Sequence, residues 1–163
     1  MSPPGAWNPS VCPLNEFFRA AILATEWGLL SQTPQLAGVV GVADLEGLHF
    51  GHLHHYTPSE LRKAVKLTQE CYPIRLKGIY IVNNPPVFEA LFAVVKLFLT
   101  PKLLERIHFI GRDYDRLHKL IPREGLPEEY GGTLKNYDYD DFERSMRSTE
   151  EFFVELGKYG YRV

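Results

Sequence analysis

Apolar positions along this chain fall into two rhythms, one helical and one continuous, that take turns. The stretch LNEFFRAAILATEWGLL, residues 14–30, sets Phe17, Phe18, Ala21, Ile22, Thr25 and Leu29 on one face at helical spacing. TPQLAG, 33–38, breaks that helix. AGVVGVADL, 37–45, is a short valine-rich run without alternation, as expected of a strand covered on both faces. It runs on into DLEGLHFGHLHHY, a strand end followed by an irregular stretch. Thr57, Pro58 and Glu60 then spell a helix start, with threonine at the N-cap, proline at the first helical position and a carboxylate at the third, the makings of a capping box. That helix is expected to run on and stop before Pro73. IRLKGIYIVN, 74–83, reads as a second buried strand, and NNPP punctuates it. VFEALFAVVKLFL, 87–99, is a helix apolar almost all round, with Glu89 and Lys96 its only charges. TPKLLERI is another N-capped turn, IHFIG a short strand, DYDRLHKLI a short helix, LPEEYGG a closing loop, and 137–159 a last amphipathic helix. Unalternating strands that alternate with helices predict an α/β fold with a small, mostly parallel sheet flanked by helices.

The 163 residues are enough for one domain that buries about two thirds of its unfolded surface. Formal net charge is −2, with a pI near 6.3, so there is no overall basic field of the kind a nucleic-acid module carries. Cys12 and Cys71 are the only cysteines; they form no disulfide framework, suit a reducing compartment, and are each expected to be small buried residues. The N-terminus lacks the apolar and basic regions of a signal peptide, and the longest apolar runs fall well short of the roughly 20 residues a membrane span needs. A soluble protein that visits membranes is the expectation.

Nucleotide and hydrolase motifs are absent: the chain has no P-loop, no G-x-G-x-x-G, no G-x-S-x-G and no H-E-x-x-H. No cofactor is expected. HFGHLHHY gathers His49, His52, His54 and His55, a possible core for a metal-dependent hydrolase if His108 or His118 joined it. If that stretch were extended, His52 and His54 would face one side and His49 and His55 the other. Asp44 and Glu46 are an acid–base pair by spacing, or else carboxylates bonded to nearby backbone. The basic residues give the sharpest local pattern. Arg75 and Lys77, two apart at a strand start, share a side; Lys102 and Arg106, four apart, share a helix face. These pairs flank the apolar helix 87–99 and suit phosphate, or are ordinary solvated charge, with Glu105 at hand for Arg106.

GVVGVADLEGL, YPIRLKGIYIVNNPPVFEALFAVVKLFLTPKLLERIHFIG and LPEEYGGTL, in that order, resemble the CRAL-TRIO lipid-binding domain family, in the branch of alpha-tocopherol transfer protein, cellular retinaldehyde-binding protein and the clavesins. The resemblance covers residues 7–137, between an arm at 1–6 and a helical tail at 138–163. It implies a non-enzymatic protein that holds one hydrophobic molecule in a cavity between sheet and helices, with helix 87–99 as an apolar lid. It implies that Arg75, Lys77, Lys102 and Arg106 bind phosphatidylinositol bisphosphate. It also implies a pocket wall of Phe18, Ala21, Thr25, Leu48, Phe50, His54, Ile74, Ile79, Phe88, Leu91 and Phe92. Ala21 stands where relatives have a serine and His54 where they have an aromatic, so the ligand's polar end is expected to differ from tocopherol's. The expected setting is the cytoplasm, peripheral on intracellular membranes. Relatives usually carry an N-terminal helical region and a first strand ahead of GAWNPS; a sheet without that strand is expected to present an open edge. A phosphoinositide-binding adaptor without lipid cargo is the alternative.

Overall fold

The structure, a computed structural model, describes residues 7–160. The arm expected at 1–6 lies outside the described residues. Three parallel strands form one sheet in the order β1 (Val39–Asp44), β2 (Leu76–Val82), β3 (Ile107–Gly111). Helices supply the connections: α1 (Leu14–Gly28) and α2 (Gln32–Ala37) precede β1, α3 (Phe50–Leu53) and α4 (Pro58–Lys66) lead to β2, and α5 (Val87–Val95) and α6 (Pro101–Leu104) lead to β3. After β3 come α7 (Tyr114–Leu120), two short 3₁₀ turns, α8 (Tyr139–Arg147) and α9 (Glu150–Gly157). The chain is thus α/β, with a small parallel sheet.

Strand β2 explains why its sequence does not alternate. Ile79 and Ile81 point into a cluster with Leu48, Val87 and Phe88, under α5. Tyr80 and Val82 point the other way, into a cluster with Ile110, Leu117 and Leu126, under α7 and the closing loop. A central strand with both faces covered has no polar side to show. Two irregularities disturb the ladder. Val39 pairs with Leu76 but Val40 with Gly78, leaving Lys77 as the extra residue of a bulge; a second shift falls between Ile81 and Val82.

Several elements differ from the sequence reading. TPQLAG does not simply break a helix. Pro34 falls in the first turn of α2, where a missing N–H costs nothing, and Gly38 at φ +83° ends it. HFGHLHHY is not extended: it forms α3, one helical turn. Helix α4 stops at Lys66 and continues as a π-helical turn, Leu67–Cys71, whose composition matches any helix end. Helix α5 stops at Val95, ahead of the Thr100-Pro101 start of α6, where Thr100 accepts a hydrogen bond from the Leu103 N–H at 3.3 Å. The tail is two helices. Ser148 and Thr149 turn their hydroxyls back onto the carbonyls of Ser145 and Met146, 2.7 Å each, and interrupt it. Cys71, expected inside, is exposed, and Cys12 is half-buried; both thiols are free. Among the described residues no helix is long and apolar enough to cross a membrane.

Candidate ligand cleft and basic cluster

The apolar face of α1 is spent on a cleft rather than on the core. Of its residues only Leu14 is buried. Phe17, Phe18, Ala21, Ile22 and Thr25 instead form one wall of a cleft of ≈ 490 Å³. Ala64 from α4, Leu67 and Thr68 from the π-turn, and Tyr72 just after it form the facing wall, with Glu60 and Lys63 at the rim. Sites for small molecules span about 300–1,000 Å³ and are mostly apolar, with few polar groups. Here the hydroxyls are those of Thr25, Thr68 and Tyr72, and Asn15 adds an amide. Thr25 donates to the Ala21 carbonyl at 2.8 Å, which leaves its oxygen free only to accept. The Tyr72 hydroxyl is buried, makes no hydrogen bond of ordinary geometry, and lies beside the Thr25 hydroxyl. Burial, and then the charge of Glu26, raise its pKa, so it stays a donor. Tyr72 was invisible in the sequence, because only packing against α1 buries its hydroxyl beside Thr25.

The residues that the resemblance assigns to a pocket wall divide. Phe18, Ala21 and Thr25 line the cleft. Leu48, Ile79, Phe88, Leu91 and Phe92 pack against one another in the cluster under α5. Ile74 is half-buried between the π-turn and β2, while Phe50, 78% exposed, and His54 face solvent at α3. A second groove of ≈ 550 Å³ lies between Leu23 and the tail helices; it carries the ion pair Glu143–Arg147, as the α1/α4 cleft carries Glu60–Lys63. The α1/α4 cleft differs in holding Phe18, Ala21 and Thr25, three of the residues that the resemblance assigns to a pocket wall.

Three of the basic residues, Arg75, Lys77 and Arg106, gather at the N-terminal end of the sheet. Gly38, whose built Cβ would sit 2.5 Å from the Arg75 carbonyl, lets the chain pass; the same point is 3.3 Å from Arg75 Cβ and 3.4 Å from Lys77 Cε. Both side chains therefore flank Gly38, although Arg75 precedes the strand and Lys77 is a bulge residue, so strand alternation is not the cause. Arg106 joins them by donating from Nη1 to the Leu76 carbonyl at 2.5 Å. Lys102 is on α6, which ends at Leu104, so Arg106 lies beyond the helix and the two do not share a helix face as the spacing predicts. Among the described residues none of the four is ion-paired, and Glu105 pairs with neither Lys102 nor Arg106. Unpaired cations in one neighbourhood are what a polyanion needs.

The histidines are structural. His49 caps α3 by accepting the Gly51 N–H on Nδ1 at 3.0 Å, and His52 Nδ1 accepts the His49 N–H at 3.4 Å. This is a reciprocal capping box made of two imidazoles. The box expected at Thr57 forms only by half: Thr57 accepts from the Glu60 N–H, but the Glu60 carboxylate goes to Lys63 at 2.9 Å. The Trp7 ring lies 5.5 Å from His52, 5.7 Å from His55 and 5.7 Å from Phe17, tying the start of α1 to α3. His108 stacks on Tyr80 and His118 bonds the Tyr130 carbonyl. Among the described residues no three metal-ligating side chains converge. Asp44 is likewise engaged, by the Glu46 N–H, the Asn83 amide and the Tyr130 hydroxyl.

His52 is 4% exposed, and burial, then repulsion from His49, lower its pKa below the ordinary 6.5. The unfolded chain then takes up a proton more readily than the folded one. The stability this site contributes is whole above pH 6.5 and is lost as pH falls below it towards the folded value. Thermal melts from about pH 7.5 down to about pH 5.5 are expected to show a falling midpoint, with a shallower fall in His52→Gln. Equal slopes in the two proteins would remove this role.

The sequence comparisons decide the family. A family model for the CRAL/TRIO domain matches residues 1–132. The chain belongs to the CRAL/TRIO domain family. It is 36% identical over 151 residues to a mouse protein named alpha-tocopherol transfer protein-like, covering 93% of this chain and 44% of that one. It is 34% identical over 140 residues to Clavesin-1 of Xenopus laevis, covering 86% and 42%, and 35% identical over 144 residues to human Clavesin-2, covering 88% and 44%. This CRAL/TRIO chain therefore spans less than half the length of these relatives. A crystal structure of Sfh5 superposes with a TM-score of 0.48 at 19% identity, over 72% of this chain and 43% of that one. Helices α8 and α9 follow the stretch that the CRAL/TRIO model matches.

Proposed function

We propose that this chain is the lipid-holding part of a transfer protein. It carries one hydrophobic molecule in the α1/α4 cleft and meets phosphatidylinositol bisphosphate on a membrane through Arg75, Lys77, Lys102 and Arg106. The proposed unit runs over residues 7–137, works in the cytoplasm and at the surface of intracellular membranes, and performs no catalysis. One observation carries the reading: in a CRAL/TRIO chain, the apolar face of α1 walls a cleft of ≈ 490 Å³ in which the Thr25 hydroxyl and the buried Tyr72 hydroxyl lie side by side. A ligand with an apolar body and one acceptor would bury that face and accept from Tyr72. Tyr72 donating and Thr25 accepting would suit a hydroxyl or carbonyl at that end.

The adaptor reading keeps one observation in its favour. Under α5 the side chains of Leu48, Val87, Phe88, Leu91 and Phe92 fill the space themselves. Mass spectrometry of organic extracts from purified protein separates the two readings. A transfer protein is expected to release one lipid species in near-stoichiometric amount, and Ala21→Trp, which fills the cleft with an indole, is expected to lose most of it. A wild type without bound lipid favours the adaptor, and an Ala21→Trp variant with unchanged lipid moves the ligand elsewhere.

A further inference from the structure

We infer that the π-turn Leu67–Cys71 couples the α1/α4 cleft to the joint between α5 and α6, with Gln69 as the positioning residue. The turn has two working sides. Leu67 and Thr68 line the cleft. Gln69, the next residue, reaches away to the joint: its Nε2 donates to the Phe98 carbonyl at 3.1 Å, and its Oε1 accepts the Thr100 N–H at 2.7 Å. One carboxamide thus grips the joint as a neighbouring strand would, and the partners fix which end is oxygen. Among the described residues no other hydrogen bond links residues 58–72 to residues 87–104. Phe98 also sits in a groove with Arg62, Val65 and Gln69, so the contact is packed as well as bonded.

The joint needs this grip. Over residues 97–99 the backbone holds itself only by i→i+3 bonds, including Leu99 N–H to Lys96 carbonyl at 3.4 Å. Thr100 is the N-cap of α6, and its own N–H has Gln69 as partner. Gln69 therefore sets where α6 starts, and α6 carries Lys102. A π-turn holds an extra residue against the ordinary helical register, so its alternative is one register step away. A step that moves Leu67 and Thr68 also withdraws Gln69. Occupancy of the cleft holds the observed register and keeps the joint gripped; a joint pulled open loosens what the cleft holds. By linkage the two effects are equal in size. This rests on the cleft being the ligand site, as proposed above.

The test uses the dye 8-anilinonaphthalene-1-sulfonate in place of the lipid, and hydrogen exchange at the Thr100 amide. Saturable dye binding that Ala21→Trp removes defines the cleft. Gln69→Ala, which touches no cleft surface, is expected to weaken that binding about five- to tenfold and to speed Thr100 exchange in the dye-free protein. In the wild type the dye is expected to slow Thr100 exchange; in Gln69→Ala it is expected to leave it unchanged. Gln69→Glu keeps an acceptor for Thr100, serves if the alanine variant does not fold, and is expected to fall between. Equal dye affinity in wild type and variants, Thr100 exchange blind to the dye, or no saturable dye binding each overturns the relay. Coupling measured with the dye in a protein that carries no native lipid would leave the relay standing and remove only the cargo.

Discussion

The double variant Arg75→Glu, Lys102→Glu is expected to lose flotation with liposomes that carry phosphatidylinositol bisphosphate. A lysine or arginine near an anionic bilayer contributes about 1 kcal/mol. Reversing two removes two attractions and adds two repulsions, about 4 kcal/mol together, or roughly a thousandfold in affinity. None of the four cations is ion-paired among the described residues, so none is already neutralised. Lys119→Glu with Lys135→Glu is the control: it makes the same change of net charge at exposed, unpaired lysines outside the cluster. A general charge effect would weaken both variants alike, and binding equal to wild type in the first variant would dismiss the cluster. Wild-type binding should also weaken as salt shortens the screening length. Arg106 is expected to be sensitive to a different change. Lysine in its place keeps the charge but gives up the planar donor set that holds the Leu76 carbonyl.

Leu117→Ala is expected to be the most damaging single truncation. Leu117 is 0% exposed and packs with Val82, Ile110 and Leu126 beneath the sheet. Truncations of that kind cost about 2–5 kcal/mol, and the closed surroundings here place this one at the upper end. Total stability of a domain is about 5–15 kcal/mol, so the loss is a large share of it. Urea denaturation should show the midpoint falling with the slope unchanged. Leu97→Ala, at a leucine 74% exposed, is expected to change the midpoint hardly at all. Comparable losses at both positions would mean that the cluster under α7 does not carry the stability assigned to it.

Elements and their order were legible because burial on both faces of β2 leaves an unalternating apolar run, and because proline and threonine mark helix starts at Thr57 and Thr100. Strand β3 falls on IHFIG itself. What escaped depends on partners distant in sequence. Nothing local in LTQEC separates a π-turn from an α-helical end. The bulge at Lys77 is a property of two strands, so the i, i+2 rule reached a correct neighbourhood for Arg75 and Lys77 by an incorrect route. The histidines misled for a chemical reason. Imidazole is the commonest metal-binding side chain, but a neutral ring also has one acceptor nitrogen, and in α3 that nitrogen caps backbone N–H groups. The face of α1 was read correctly as apolar, but spacing cannot say whether such a face meets a core or a cavity.

The exposed Cys71 ends the π-turn two residues beyond Gln69, and the only other thiol, Cys12, is half-buried. With Cys12 replaced by serine, a maleimide dye has one place to attach. The label then rides on the π-turn, and its brightness is expected to change with occupancy of the cleft, with no lipid made fluorescent and no residue of the cleft or the basic cluster altered.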